Sequence, residues 1–188
     1  DDPRPSLGAW LRLAELEPTD PAPLEAADAL ATLLGDWPVL VDTLTRRATL
    51  GSDSDAAELH RRIARVRVDM LEDVAGARAA YERAIELEPD HAATLDALIS
   101  LLEDHVPDAD ERLVELFERR SELAGDGDAD LRYSLLTRSA DRLEKLGRAR
   151  DAIDVLQAAL EARPSEPAVL GRLERLFRAE SMWDDLLE

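Results

Sequence analysis

The chain has 188 residues, with 42 acidic side chains against 23 Lys and Arg, for a formal net charge of −19. That balance repels phosphate backbones and anionic membrane surfaces and disfavours both as general partners. The absence of cysteine rules out disulfides, thiol chemistry and cysteine-bound zinc, and no apolar run approaches the ~18 residues of a membrane helix. Apolar residues recur three and four apart, with few β-branched residues and no strand-type alternation, so the expected class is all-α.

In chain order, residues 5–17 read as the second helix of a hairpin. Pro21 and Pro23 start the next hairpin, with Leu24, Ala27, Leu30, Ala31 and Leu34 as its apolar stripe. Gly35-Asp36 turns the chain, and Trp37 to Leu50 returns, Pro38 being tolerated in the first turn. Ser54 or Asp55 is the expected cap of the following helix, with Glu58 placed to complete a capping box. Its predicted inner face is Leu59, Ile63, Val66 and Met70, and Glu72-Asp73 turns into a helix running from Ala77 to Pro89. Asp90 is the expected cap of a helix carrying Leu95, Leu98, Ile99, Leu101 and Leu102. Pro107 and Asp108 open its partner, which runs through Leu113, Leu116 and Phe117 to Leu123. Residues 124–127 form the loosest connection. Two faces follow in Leu136–Pro164, separated by Gly147; then come Leu170, Leu173, Leu176 and Phe177, and Met182-Trp183 opens a last helix.

These segments repeat. Ala77, Tyr81, Ala84 and Pro89 match Ala152, Leu156, Ala159 and Pro164 at an offset of 75; Ser6, Trp10, Leu13 and Pro18 match the former at 71. Between them, Leu40, Leu44, Arg46-Arg47 and Leu50 match Leu113, Phe117, Arg119-Arg120 and Leu123 at an offset of 73. Trp183 stands 146 positions after Trp37, the sum the prolines also give. Two independent residue sets therefore agree on a double repeat. Small residues let paired helices approach closely, a large one fills the next turn, and proline ends the ladder.

The pattern Leu136, Ser139, Ala140, Leu143, Gly147, Ala152, Leu156, Ala159 and Pro164 resembles a tetratricopeptide repeat. Gly35-Asp36-Trp37 and the Leu170/Leu173/Phe177 helix fit the same resemblance, which covers essentially the whole chain. It implies a single array of helical hairpins, in units at 5–18 (partial), 21–51, 55–89, 91–125, 129–164 and 167–188 (partial). It also implies a right-handed solenoid whose first helices line a concave groove. A half-tetratricopeptide or HEAT-type solenoid is the alternative fold. By resemblance the chain is a non-catalytic protein–protein interaction scaffold that binds a partner peptide or helix. The alternatives are the recognition arm of a larger enzyme or effector, and a structural spacer that self-associates end to end. The partial units at both ends lead us to expect a parent protein continuing the same double repeat on either side.

Arg61 and Arg65 lie opposite the predicted Leu59/Ile63/Val66/Met70 seam, and Arg175 and Arg178 lie away from Leu170, Leu173 and Phe177. Gly171, one turn before Arg175, leaves space at a pocket floor. On a concave surface these guanidinium groups suit carboxylates of a bound acidic peptide; pairing with neighbouring Asp and Glu is the competing account. The family's lysine and asparagine carboxylate clamp is not matched, since Lys145 is the sole lysine and asparagine is absent. Asp126, Asp128 and Asp130 have the alternate spacing of a calcium loop, but Leu131 and Thr137 stand where glycine and a bidentate glutamate are needed, so capping is expected. His60, His91 and His105 are scattered and expected at the surface, and the tryptophans in hairpin packing. No cofactor, metal or catalytic motif is present. The arginine-rich composition points to a GC-rich bacterial genome, and a cytoplasmic location is favoured.

Overall fold

The computed structural model describes residues 4–180. Met182, Trp183 and Leu186, which open the expected last helix, lie outside that range, and the side chains of Pro5 and Asp126 are not among those described. Among the described residues there are ten α-helices: α1 (Arg4–Leu16), α2 (Ala22–Leu34), α3 (Trp37–Ala48), α4 (Asp53–Asp69), α5 (Val74–Leu87), α6 (Ala92–His105), α7 (Asp110–Ala124), α8 (Ala129–Lys145), α9 (Ala149–Ala162) and α10 (Pro167–Ala179), with a 3₁₀ turn at Gly125–Asp128. Contacts divide the chain into two compact units, Asp1–Leu98 and Ile99–Glu188.

Most helix boundaries follow from local chemistry. Gly35 sits at φ +68°, in the left-handed region that glycine enters without strain, and its N–H closes on the Ala31 and Thr32 carbonyls to end α2. Asp36 then accepts the Val39 N–H and starts α3, whose first turn tolerates Pro38. Asp73 accepts the Gly76 N–H at 2.9 Å to start α5. Asp128 accepts the Leu131 N–H at 3.1 Å to start α8, the capping role expected from its spacing.

Two helix starts differ from the sequence reading. The cap of α4 is Ser52, in a reciprocal capping box with Asp55 rather than with Glu58, because the helix begins two to three residues earlier than expected. At the start of α6 the Nδ1 of His91, a residue expected only at the surface, lies 3.2 Å from the Thr94 N–H and 2.8 Å from its hydroxyl. His91 is thus engaged at a helix start rather than merely solvated.

In the first unit, α1 packs on α2, α2 on α3, α3 on α4, and α4 on α5. The small positions of α5 behave as the repeat requires: Ala77 and Ala84 are fully buried, with Tyr81 between them. The inner face of α4 differs from the expected one. Ala56, Ala57, Ile63 and Ala64 are buried, whereas Leu59 and Val66 are half-buried and Met70 is 51% exposed. Close helix approach selects the alanines for the seam and rotates the larger apolar residues to its edge. In α1 the seam is Leu7 and Ala14, while Ser6 is exposed and Trp10 is 38% exposed.

In the second unit, α7 packs on α8, α8 on α9, and α9 on α10. Ala140 and Leu143 of α8, Ala152, Ile153 and Leu156 of α9, and Val169, Leu173, Leu176 and Phe177 of α10 form one apolar cluster. Leu113 and Phe117 are buried like Leu40 and Leu44, their counterparts 73 positions earlier. Helix α10 starts with Pro167, where a missing N–H costs nothing.

Candidate functional site

The side chains on the first helix of each hairpin (α2, α4, α6, α8 and α10) form networks with neighbouring helices. In the first unit Asp28 of α2 is the hub. It is almost fully buried, and it accepts from Arg47 of α3 at 2.5 Å and from both terminal nitrogens of Arg62 of α4 at 2.6 Å. Arg62 also reaches the Thr32 hydroxyl at 3.1 Å. Arg61 points elsewhere, to Glu58 at 2.9 Å and to Glu88 at the end of α5 at 2.7 Å, leaving its side chain 12% exposed. Glu88 also accepts from Ser54. Hydrogen bonds from Ser54 and then Arg61 hold the Glu88 carboxyl below its ordinary range.

The second unit has three such hubs. Asp110, at the start of α7, accepts from Lys145 at 2.5 Å and Arg142 at 3.3 Å, both on α8. The Lys145 hydrogen bond is the main cause of its lowered pKa, and burial opposes it. Glu103 of α6 accepts from Arg138 and, at 3.2 Å, from Arg142; Arg138 also stacks 4.5 Å over the Phe117 ring. Glu144 of α8 accepts from Arg172 at 2.7 Å and Arg175 at 2.6 Å, both on α10.

The structure therefore places the expected site residues as follows. Arg65 projects outward from α4 and meets Glu58 at 3.4 Å. Arg175 lines an open cavity of about 290 Å³ together with Asp141, Glu144 and Arg172. Arg178 pairs with Glu174 one turn earlier on its own helix, at 2.5 Å. Gly171 borders open space, since a Cβ built there meets nothing within 4 Å, but it does not line that cavity. Asp130 faces Arg163 at 3.6 Å, and no group of three or more potential metal ligands occurs among the described residues.

A second cavity, of about 440 Å³, opens where α2 begins, α3 ends and α4 begins. Pro21, Leu50 and Leu59 give it an apolar lining, and Glu25, Asp55 and Glu58 its acidic groups. Sequence reasoning missed this cavity and the Asp28 and Glu144 hubs. The available signal was an acid embedded in a small-residue stripe, as Asp28 is between Ala27 and Ala31.

The deciding pattern is the buried set Leu136, Ser139, Ala140 and Leu143, a left-handed Gly147 at φ +73°, and then the buried set Ala152, Leu156 and Ala159. The fold is of the tetratricopeptide type. No family model matches the chain, and no curated protein matches it in sequence. Among solved structures it is similar to MamA, at 17% identity over 83% of this chain and 85% of that one, with a TM-score of 0.47. The N-terminal domain of stress-induced protein-1 from C. elegans shares 17% identity over 67% of this chain and 98% of its own, at a TM-score of 0.48. YrrB, described as a TPR protein with an unusual peptide-binding site, shares 16% identity over 89% and 81%, also at 0.48. In the tetratricopeptide-type hairpins of this chain, the acid hubs tie one first helix to the next: Asp28 to Arg62, Glu103 to Arg138, and Glu144 to Arg175.

Proposed function

We propose that this chain is a non-catalytic interaction scaffold that binds a protein or peptide across the first helices of its hairpins. The observation that carries the reading is a combination on those helices. Their alanine and leucine seams are buried, while Leu33 at the end of α2 is 74% exposed and Met70 at the end of α4 is 51% exposed. Large apolar residues left in water on the first helices favour a macromolecular ligand. The carboxylates around the cavities are bound into ion pairs and helix caps, an arrangement that supports positioning rather than acid–base chemistry. No helix of the described residues is long and apolar enough to cross a membrane.

Within this reading Arg65, Arg175 and Arg178 are the expected cations best placed to meet an acidic stretch of a ligand. Their side chains are 59%, 64% and 58% exposed, so a ligand carboxylate could replace the present partner at little cost. Arg61 contributes mainly by bracing α4 against the end of α5, and Gly171 by leaving room beside Arg175.

The test is affinity capture from a lysate of the source organism, comparing the wild-type chain with Leu33→Glu/Met70→Glu at matched helicity. A discrete protein held by the wild type and lost by the variant is the expected result. Capture indifferent to both substitutions would place the ligand elsewhere, and no capture would argue against a scaffold.

A further inference from the structure

We propose that the cavity between α2, α3 and α4 receives an aliphatic side chain of a peptide in which lysine or arginine flanks that residue. The proposal rests on the scaffold reading and adds the ligand's chemistry at one place.

The apolar part of the cavity is Pro21, Leu50 and Leu59, and its volume of about 440 Å³ suits one or two side chains rather than a helix. Leu50 and Leu59 are each half-buried, so an aliphatic group seated on them removes further apolar surface from water. The charges around this surface have one sign outward. Arg47, the one cation in the lining, is drawn 2.5 Å from Asp28, which leaves it 3.5 Å from Glu25. Asp55 is fixed as an anion by its Ser52 hydrogen bonds, which hold its carboxyl below the ordinary range. Glu25 and Glu58 carry side chains 59% and 61% exposed and can turn toward a ligand.

Glu58 is shared by Arg61 and Arg65, but Arg61 is itself shared with Glu88. The lining of the cavity itself carries three carboxylates (Glu25, Asp55 and Glu58) and one guanidinium group (Arg47). A cation seated in the cavity beside Glu25 and Glu58 therefore meets a lining of net negative charge, whereas an anion there is repelled by it. The chain's net charge of −19 acts in the same direction at longer range, raising the encounter rate of basic segments.

The probe is a displayed library of random nonapeptides selected on the 188-residue chain. Selected sequences are then measured by fluorescence anisotropy against three variants: Leu59→Asp, Glu25→Lys/Glu58→Lys, and the milder Glu25→Gln/Glu58→Gln. Far-UV circular dichroism establishes that each variant is folded. The expected result is enrichment of peptides with Leu, Met or Ile between basic residues. Affinity should fall at least about tenfold in Leu59→Asp and in the charge reversal, less in the Gln pair, and fall with added salt. Enriched peptides of other chemistry, or basic peptides indifferent to all three variants, would overturn this proposal and leave the scaffold reading standing. Failure to enrich any peptide would count against both.

Discussion

Ala152 and Ala159 are fully buried where α9 crosses its neighbours, and a larger side chain there has no space to enter. Ala152→Leu or Ala159→Leu is expected to cost roughly 1–3 kcal/mol by overpacking. For a chain of this size that is a fall of several degrees in melting temperature, and an unchanged Tm would show that the helices cross elsewhere. The hairpin turns offer a complementary test. Gly147 at φ +73° and Glu72 at φ +52° hold the same left-handed conformation at corresponding positions, 75 residues apart. A side chain there costs about 1–2 kcal/mol. Gly147→Ala should therefore destabilise by about that much, whereas Glu72→Gly should give a smaller gain, offset by the greater freedom of an unfolded glycine. Both changes are read by thermal unfolding.

Between helices, the controlling contacts are ion pairs that span the gap from one first helix to the next. Asp28 is the clearest case, because its removal takes the carboxylate from Arg62 and leaves Arg47 with Glu25 at 3.5 Å. Asp28→Ala is expected to cost about 2–3 kcal/mol. This lies below the ~3–5 kcal/mol of a fully buried pair because the Arg62 side chain is 35% exposed. Chemical denaturation of Asp28→Ala, Arg62→Met and the double variant would check it, and purely additive losses would deny the coupling. The contrast with the alanine seams shows what was legible in the sequence. Ala77, Ala84, Ala152 and Ala159 announce themselves because the volume allowed at a helix crossing restricts residue type at a fixed helical spacing. The α4 seam was misplaced because Leu59, Val66 and Met70 outweigh Ala57 and Ala64 in hydrophobicity, while close approach favours the smaller residues. Asp28 is marked in the sequence only as an acid within a small-residue stripe, and its partners are not legible there. Its partners lie 19 and 34 residues away, and helical periodicity carries no record of which exposed-type charges will be folded together.

For the molecule as a whole, two electrostatic effects of opposite sign govern its response to acid. With a net charge of −19, the folded chain repels itself near neutral pH, and protonating ordinary exposed carboxylates relieves that repulsion. Against this stand Asp55, Glu88 and Asp110, held below their usual carboxylate range by hydrogen bonds from Ser52, Ser54 and Lys145 respectively. A carboxylate whose folded pKa lies below its unfolded value contributes stability that is complete above the unfolded value. That stability is lost as pH falls through the folded one. Glu118 runs the other way: burial raises its pKa, so it favours folding on the acid side and its contribution fades as pH rises. Relief of repulsion and the Glu118 contribution come first on acidification, since the groups involved have ordinary or raised pKa values. The paired carboxylates are lost only afterwards. Stability should therefore rise gently from pH 8 toward the mildly acidic range and then fall steeply below the ordinary carboxylate range of about 4. Added salt should flatten the rise by screening the repulsion. Asp110→Asn removes one group from the acid limb and should make the fall shallower, with a lower Tm at neutral pH. A series of melting curves from pH 3 to pH 8 measures both limbs. Stability that declined steadily from pH 8 downward would mean that paired carboxylates, not self-repulsion, dominate throughout.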